Sequence, residues 1–325
     1  MLLVRCLTIF LSCWLMCSCA LAPVPVPDSE TLKPGQGFVT LAHGTSVFER
    51  SWVSEGPPDK VVLILHGSGS HSGGLAHLAE YLAAESAAVY AFDYPGFGYT
   101  PGNRAVSPPF NQLQQYLNDY LKLVRQRHPG RAIFIVGESM GGTLAIYADV
   151  HGGLDVDGVV LCGAAFDYPP MTNVFLRGLA RFIGWFGDGI PLVPVKAGAF
   201  TRSEEAIERF NNDPLMVKGR IPVGHVNVLM KTIGELKPLL YRVEVPFYIQ
   251  HGSNDQVAPL SAVEELYRVS GSKVKKMTIY PDVLHAILHE REWRQVANDM
   301  SIWMTQLADK TDEETAAVMK EGRTE

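Results

Sequence analysis

Ala132-Ile133-Phe134-Ile135-Val136-Gly137-Glu138-Ser139-Met140-Gly141-Gly142-Thr143-Leu144-Ala145-Ile146-Tyr147 holds three signals in sixteen residues. An apolar run of strand character leads straight into a glycine-flanked serine, and a run with helical spacing follows. A chain that leaves a strand at Gly137 and enters a helix at Met140 must turn sharply in between. Such a turn presents the serine hydroxyl and leaves room only for small residues two positions to either side. Gly137, Gly141 and Gly142 meet that demand. The Gly-x-Ser-x-Gly spelling alone would arise by chance roughly 0.1 times in a chain of this length. The strand before it and the helix after it therefore carry the argument.

The same alternation extends outward in both directions. Upstream, Val61–Leu65 is apolar throughout and ends in His66-Gly67, and Leu75–Ala84 has helical spacing. Ala88–Phe92 then ends at Asp93, and Phe110–Arg127 is a longer helical stretch. Downstream, Pro246–Gln250, Val263–Val269 and Val274–Tyr280 repeat the strand–helix–strand order, and Trp293–Leu307 closes with a helix. Strands that are apolar on both faces and alternate with helices predict an α/β fold with a mostly parallel sheet covered on both sides. Phe38–Ala42 and Val47–Val53 read as an opening strand pair. The alternation fails over residues 166–240, a stretch rich in aromatics, glycine and proline that reads as an inserted cap. The folded domain then covers residues 36–308, and 309–325 form a charged, frayed tail.

A serine hydroxyl becomes a nucleophile only when a base takes its proton, and a carboxylate must orient that base. On a strand–turn–helix scaffold of this kind the acid follows a later strand and the base follows the last one. His251-Gly252-Ser253-Asn254-Asp255 follows one such strand, and Asp255 is its only charged acid. Pro281-Asp282-Val283-Leu284-His285 follows the last strand. His285 is preferred as base over His289, which falls one helical turn further on, inside the closing helix. The oxyanion needs two backbone N–H donors: Met140, at a helix N-terminus, and Ser68, in the glycine-rich loop after Leu65. His66 and His71 brace that loop. The ten histidines do not space as a zinc-hydrolase helix, and the chemistry requires no cofactor.

Residues 1–22 stand apart. Arg5 is followed by an apolar run from Cys6 to Ala22, marginal in length for a membrane span and typical of an export signal. Ala20-Leu21-Ala22 is a small-x-small site, but Pro23 behind it would obstruct cleavage. Met16-Cys17-Ser18-Cys19 is the alternative, a degenerate lipoprotein box with Cys19 as lipid acceptor. A lipoprotein with Ala20 after that cysteine points to the outer membrane of a Gram-negative cell or its periplasmic face. Residues 23–35 open with Pro23-Val24-Pro25-Val26-Pro27, a stiff tether. Four of five cysteines lie before the tether, so the domain cannot build a disulfide framework, and Cys162 reads as a small buried hydrophobe. The net charge of −6 with no Lys/Arg cluster gives no footprint for nucleic acid.

Together these motifs make the chain resemble the monoacylglycerol lipase and lysophospholipase branch of the α/β-hydrolases, from about Gly37 to Leu307. The carriers are His66-Gly67-Ser68-Gly69-Ser70-His71-Ser72-Gly73, Gly137–Gly142, Asn212-Asp213-Pro214-Leu215, His251–Asp255 and His285–Glu290. The resemblance implies a serine esterase of acyl lipids with Ser139, Asp255 and His285 as triad and Ser68 and Met140 as oxyanion donors. Departures surround the site: Ser70 and Gly74 stand where the branch often has Glu and Arg. Asp93–Thr100 lacks the branch's Gly-His-Gly spelling as well, which puts a glycerol-head preference in doubt.

In the cap, Phe175, Leu179, Phe182 and Phe186 share one helical face, and Arg177 and Arg181 lie on another. That face is either packing against the core, a wall for an acyl chain, or a lid that touches a membrane surface. The remaining alternatives are a small-ester or peptide hydrolase on the same scaffold and a non-catalytic acyl-binding lipoprotein.

Overall fold

The computed structural model describes residues 24–28, 30, 32–169 and 172–321. The signal segment and Cys19 lie outside the described residues.

The chain opens with an antiparallel pair, β1 (Gln36–Thr40) and β2 (Ser46–Trp52). It then alternates through β3 (Lys60–Leu65), α1 (Ala76–Ala84), β4 (Ala87–Phe92), α2 (Phe110–Arg127), β5 (Ala132–Glu138), α3 (Met140–Gly152) and β6 (Gly158–Cys162). An insertion follows: α4 (Val174–Gly184), β7 (Pro191–Val195), α5 (Glu204–Asn212), β8 (Gly219–Pro222) and α6 (Val223–Leu236). The alternation resumes with β9 (Phe247–Gly252), α7 (Leu260–Val269), β10 (Lys275–Tyr280) and α8 (Trp293–Glu321). The closing helix thus runs well past Leu307, through much of the stretch the composition marks as a frayed tail.

Eight strands form one sheet in the order β1-β2-β4-β3-β5-β6-β9-β10. Only β2 runs antiparallel to its neighbours; from β4 to β10 every pair is parallel. This is the α/β-hydrolase architecture. β-branched and leucine side chains alternate across the sheet and fill two separate cores. Val61, Leu63 and Leu65 belong to the core that also takes in side chains of α2, α3 and α7, whereas Val62 and Ile64 belong to the one that takes in α1 and α8. Complete burial of a side chain of this size contributes about 1.5–3 kcal/mol, so these strands hold the frame rigidly. Because β3, β5, β9 and β10 are parallel, the loops that follow them emerge at one edge of the sheet. Those loops carry every candidate site residue.

The insertion is a different kind of layer. Its two strands pair only with each other. In α4 the Asn173 side chain accepts the Leu176 N–H, but Ala180 is the one buried residue of the helix. Phe175 is 76% exposed and Trp185, at its C-terminal cap, 84%. The aromatic face is therefore not spent on packing against the core.

Candidate active site

Ser139 sits between β5 and α3 with φ 48° and ψ −111°, a conformation that costs an L-residue of order 1–3 kcal/mol. Three glycines leave it room. A Cβ on Gly141 would run into the carbonyl of Leu65, one on Gly137 would lie 2.5 Å from the Gly142 nitrogen, and one on Gly142 2.7 Å from Ala164. The Ser139 N–H donates to the Cys162 carbonyl at 2.9 Å, which ties the turn to the neighbouring strand.

The structure brings Ser139, His285 and Asp255 together. His285 Nε2 lies 3.0 Å from Ser139 Oγ, and His285 Nδ1 lies 2.7 Å from Asp255 Oδ2. A carboxylate can only accept, so Nδ1 carries the ring proton and Nε2 is free to accept from the serine hydroxyl. Asp255 Oδ1 accepts the N–H groups of Val257 and Ala258 at 2.7 and 2.9 Å, which fixes the carboxylate's orientation. Burial pushes the Asp255 pKa upward. The hydrogen bond from His285, the charges of His285 and His251, and the Ala258 N–H outweigh burial and hold the carboxyl below its ordinary range.

Ser68 lies in the turn after β3, where Ser70 N–H bonds Gly67 O at 3.2 Å and Gly69 takes φ 75°. Among the described residues, neither the Ser68 N–H nor the Met140 N–H donates to another backbone group. His66 and His71 bond loop backbone and do not reach Ser139. His66 Nδ1–H donates to Gly67 O and its Nε2 accepts Tyr94 N–H. His71 Nδ1 accepts Gly73 N–H, and its Nε2–H donates to Asp213 of the insertion at 2.9 Å. Below the loop, the buried Asp93 carboxylate accepts Ser72 N–H and Oγ–H, Tyr99 N–H and Arg50 Nη1. Burial raises the Asp93 pKa, and Arg50, His71, His66 and Ser72 together bring it below the usual value. Two loops are thereby drawn to one anchor beneath the site.

His289 takes no part in the Ser139 chain, and it ends a short 3-10 turn (Ile287–His289) ahead of the closing helix, not inside that helix as the spacing suggests. It faces Glu138 at 3.4 Å and lies against His77, with ring centroids 5.2 Å apart. Glu138 is buried directly before Ser139. Burial raises its pKa, while His289, His285 and the Gly67 N–H lower it to a net value below the ordinary one. Cys162 is buried at the end of β6, behind the turn.

A family model, Hydrolase_4 (serine aminopeptidase, S33), matches residues 56–292. The chain belongs to this family. It is a serine hydrolase with lipase-type and esterase-type relatives. The hydrolase is 25% identical over 279 residues to a monoacylglycerol lipase of Mycolicibacterium smegmatis, covering 85% of this chain and 96% of that one. It is 26% identical over 270 residues to the monoglyceride lipase of Homo sapiens, covering 82% and 88%. Among solved structures, the monoacylglycerol lipase of Paleococcus ferrophilus superposes with a TM-score of 0.71 at 23% identity, over 80% of this chain and 99% of that one. A soluble variant of monoglyceride lipase from Saccharomyces cerevisiae superposes with a TM-score of 0.74 at 21% identity, over 87% and 99%. Those two structural likenesses speak for the fold of the hydrolase.

Sequence reasoning passed over the groups that hold these loops: Asp93 with Arg50, Glu138 with His289, and Glu290 with Arg202. Each pair is joined across at least 43 residues of chain. A buried carboxylate shows its partner only once the chain is folded.

Proposed function

We propose that this hydrolase cleaves acylglycerol-type carboxylic esters carrying at least a medium-length acyl chain, through an acyl-enzyme on Ser139. The chain of hydrogen bonds from Ser139 through His285 to Asp255 carries the reading. Ser139 Oγ attacks the ester carbonyl as its proton passes to His285 Nε2, forming the new C–O bond. The N–H groups of Ser68 and Met140 hold the oxygen that becomes anionic. Collapse expels the alcohol, which takes the proton back from His285. Water, deprotonated by the same nitrogen, then releases the fatty acid and restores Ser139. An acceptor alcohol in place of water gives transacylation by the same route, and a lysophospholipid offers the same acyl ester.

The apolar face of α4 supports a lipid substrate. Val174, Phe175, Leu176, Leu179, Phe182, Trp185 and Phe186 are all 41% exposed or more. A contiguous exposed patch of this kind marks a membrane or ligand contact. The hydrolase takes its substrate at a lipid surface, with α4 entering the interface and an exported, Cys19-lipidated N-terminus holding the enzyme there. The N-terminal part of this reading rests on the sequence of residues 1–27 alone.

A second reading is peptide-bond hydrolysis, favoured by the family description. An aminopeptidase needs a free carboxylate for the substrate's ammonium group. A surface concavity of about 620 Å³ is lined by Glu205, Glu208 and Asp213; Asp213 is bonded to His71 and Glu205 to Arg209, so Glu208 is the carboxylate there that could take that ammonium. Turnover of 4-nitrophenyl esters from acetate to laurate and of monoacylglycerol in vesicles, compared with aminoacyl 4-nitroanilides, separates the two. Activity confined to acetate sinks the lipid reading, and cleavage of anilides alone establishes the second.

A further inference from the structure

Three consecutive residues of the insertion grip the loop that carries His285. Phe200 O accepts the Ala286 N–H at 2.8 Å, and the Thr201 hydroxyl donates to His289 O at 2.9 Å. Arg202 N–H donates to Glu290 Oε2 at 3.1 Å. Its guanidinium Nε bridges both Glu290 oxygens at 3.2 and 3.3 Å, and Nη2 reaches Glu292 at 2.8 Å. Returning the contact, Arg291 Nη2 donates to Arg202 O at 3.3 Å. The Phe200 ring lies 6.1 Å from the His285 ring.

Glu290 is the pivot of this grip. Its carboxylate is fully buried, and Oε1 also accepts the N–H of Leu284, the residue immediately before His285. One carboxylate thus ties the backbone entering His285 to an arginine of the insertion. A buried carboxylate is tolerated only with its partners in place, so Arg202 and Leu284 are held by the same requirement. On the sheet side the same loop is tied by Asn254 N–H to Val283 O at 3.0 Å, Asp282 N–H to Ser253 Oγ at 2.9 Å, His285 to Asp255 at 2.7 Å and His77 Nε2–H to Leu288 O at 2.8 Å, so the insertion holds its other flank. Proton transfer between Ser139 and His285 needs hydrogen-bond contact, and a displacement of about 1 Å can cost 10²-fold in rate.

We infer that Arg202 and Glu290 are positioning residues for His285, and that the base is correctly placed only while the insertion is seated on its loop. This rests on the reading of His285 as general base. The insertion then does more than cover the substrate, because it completes the proton-transfer geometry from outside the sheet.

The test is steady-state kinetics on a soluble 4-nitrophenyl ester with Arg202→Met, Arg202→Lys and Glu290→Gln, alongside Ser139→Ala. Arg202→Met is expected to lower kcat roughly 10–100-fold with KM unchanged. Added methylguanidinium should restore part of that loss, and Arg202→Lys should fall between Arg202→Met and wild type. The Arg202→Met/Glu290→Gln pair should be no slower than the slower single variant, since both break one link. If Arg202→Met does not fold, Arg202→Lys and Glu290→Gln carry the same comparison. A wild-type kcat in the folded variants overturns the inference, as does a rise in KM alone. An inert Ser139→Ala beside an unimpaired Arg202→Met overturns the clasp and leaves the triad standing. An active Ser139→Ala overturns both.

Discussion

Asp255 and His285 are joined by a 2.7 Å hydrogen bond between loops that follow neighbouring parallel strands, β9 and β10. The register of that pair sets the spacing: Gly252 lies opposite Tyr280, so the two loops leave the sheet side by side. A Cβ on Gly252 would collide with the Val283 carbonyl, so the loops cross where only hydrogen fits. Asp255→Asn keeps the size of the side chain but can present an N–H to Nδ1, which favours the wrong tautomer of His285. A kcat lower by about 10⁴-fold is expected on 4-nitrophenyl butyrate, with the circular-dichroism spectrum unchanged. A loss under tenfold would contradict the orienting role.

The nucleophile turn tolerates no side chain at Gly141, because its Cα faces the Leu65 carbonyl across the parallel β3–β5 pair. Gly141→Ala is expected to destabilise the fold by about 1–3 kcal/mol, since backbone must move to admit the methyl. Urea unfolding followed by tryptophan fluorescence measures this. An unchanged midpoint would mean the elbow is looser than its contacts imply.

Stability should fall as the solution is acidified below neutral. Burial lowers the pKa of His66 and of His225 to about 4, against about 6.5 when exposed. Both rings are fully buried and neutral in the fold. Below pH 6.5 the unfolded chain therefore binds protons that the native state refuses. The stability these rings contribute is complete above pH 6.5 and is lost as pH falls toward 4. Two such groups give a slope of up to about 2.7 kcal/mol per pH unit in that window. Urea titrations at stepped pH read it, and His225→Gln should reduce the slope by about one proton.

The exposed aromatics of α4 make a separable prediction. Phe175→Ser with Trp185→Ser removes the two most exposed rings of the patch and touches nothing in the Ser139 chain. Activity on monoacylglycerol in anionic vesicles should drop severalfold, in proportion to lost membrane partitioning. Turnover of a soluble butyrate ester should stay at the wild-type level. Equal loss on both substrates would assign those rings to the acyl pocket and not to the interface.

Much of this molecule was legible before folding, and for definite reasons. Periodicity is local, so the strands and helices around Gly137–Tyr147 and the order Ser139, Asp255, His285 could be read directly. Boundaries were less secure. The first strand begins at Gln36 and the helix after β9 at Leu260, because turn geometry and the preceding Pro259 decide where each starts. Helical spacing exposed the apolar face of α4 but not its direction, since an amphipathic stripe looks the same toward core or solvent.

By itself, then, the amino-acid sequence determined the α/β alternation, the strained serine between glycines, and the chemical types of its partners. These depend on residue identity and on spacing of a few positions along the chain. Only tertiary structure decided what holds those partners in place. Asp93 gathers Arg50 and Ser72, Glu138 faces His289, and Glu290 joins Leu284 to Arg202. Buried charges find their counter-groups by proximity in space, and proximity across 43 to 151 residues is set by packing of the sheet and the insertion. Local patterns carry no record of that packing.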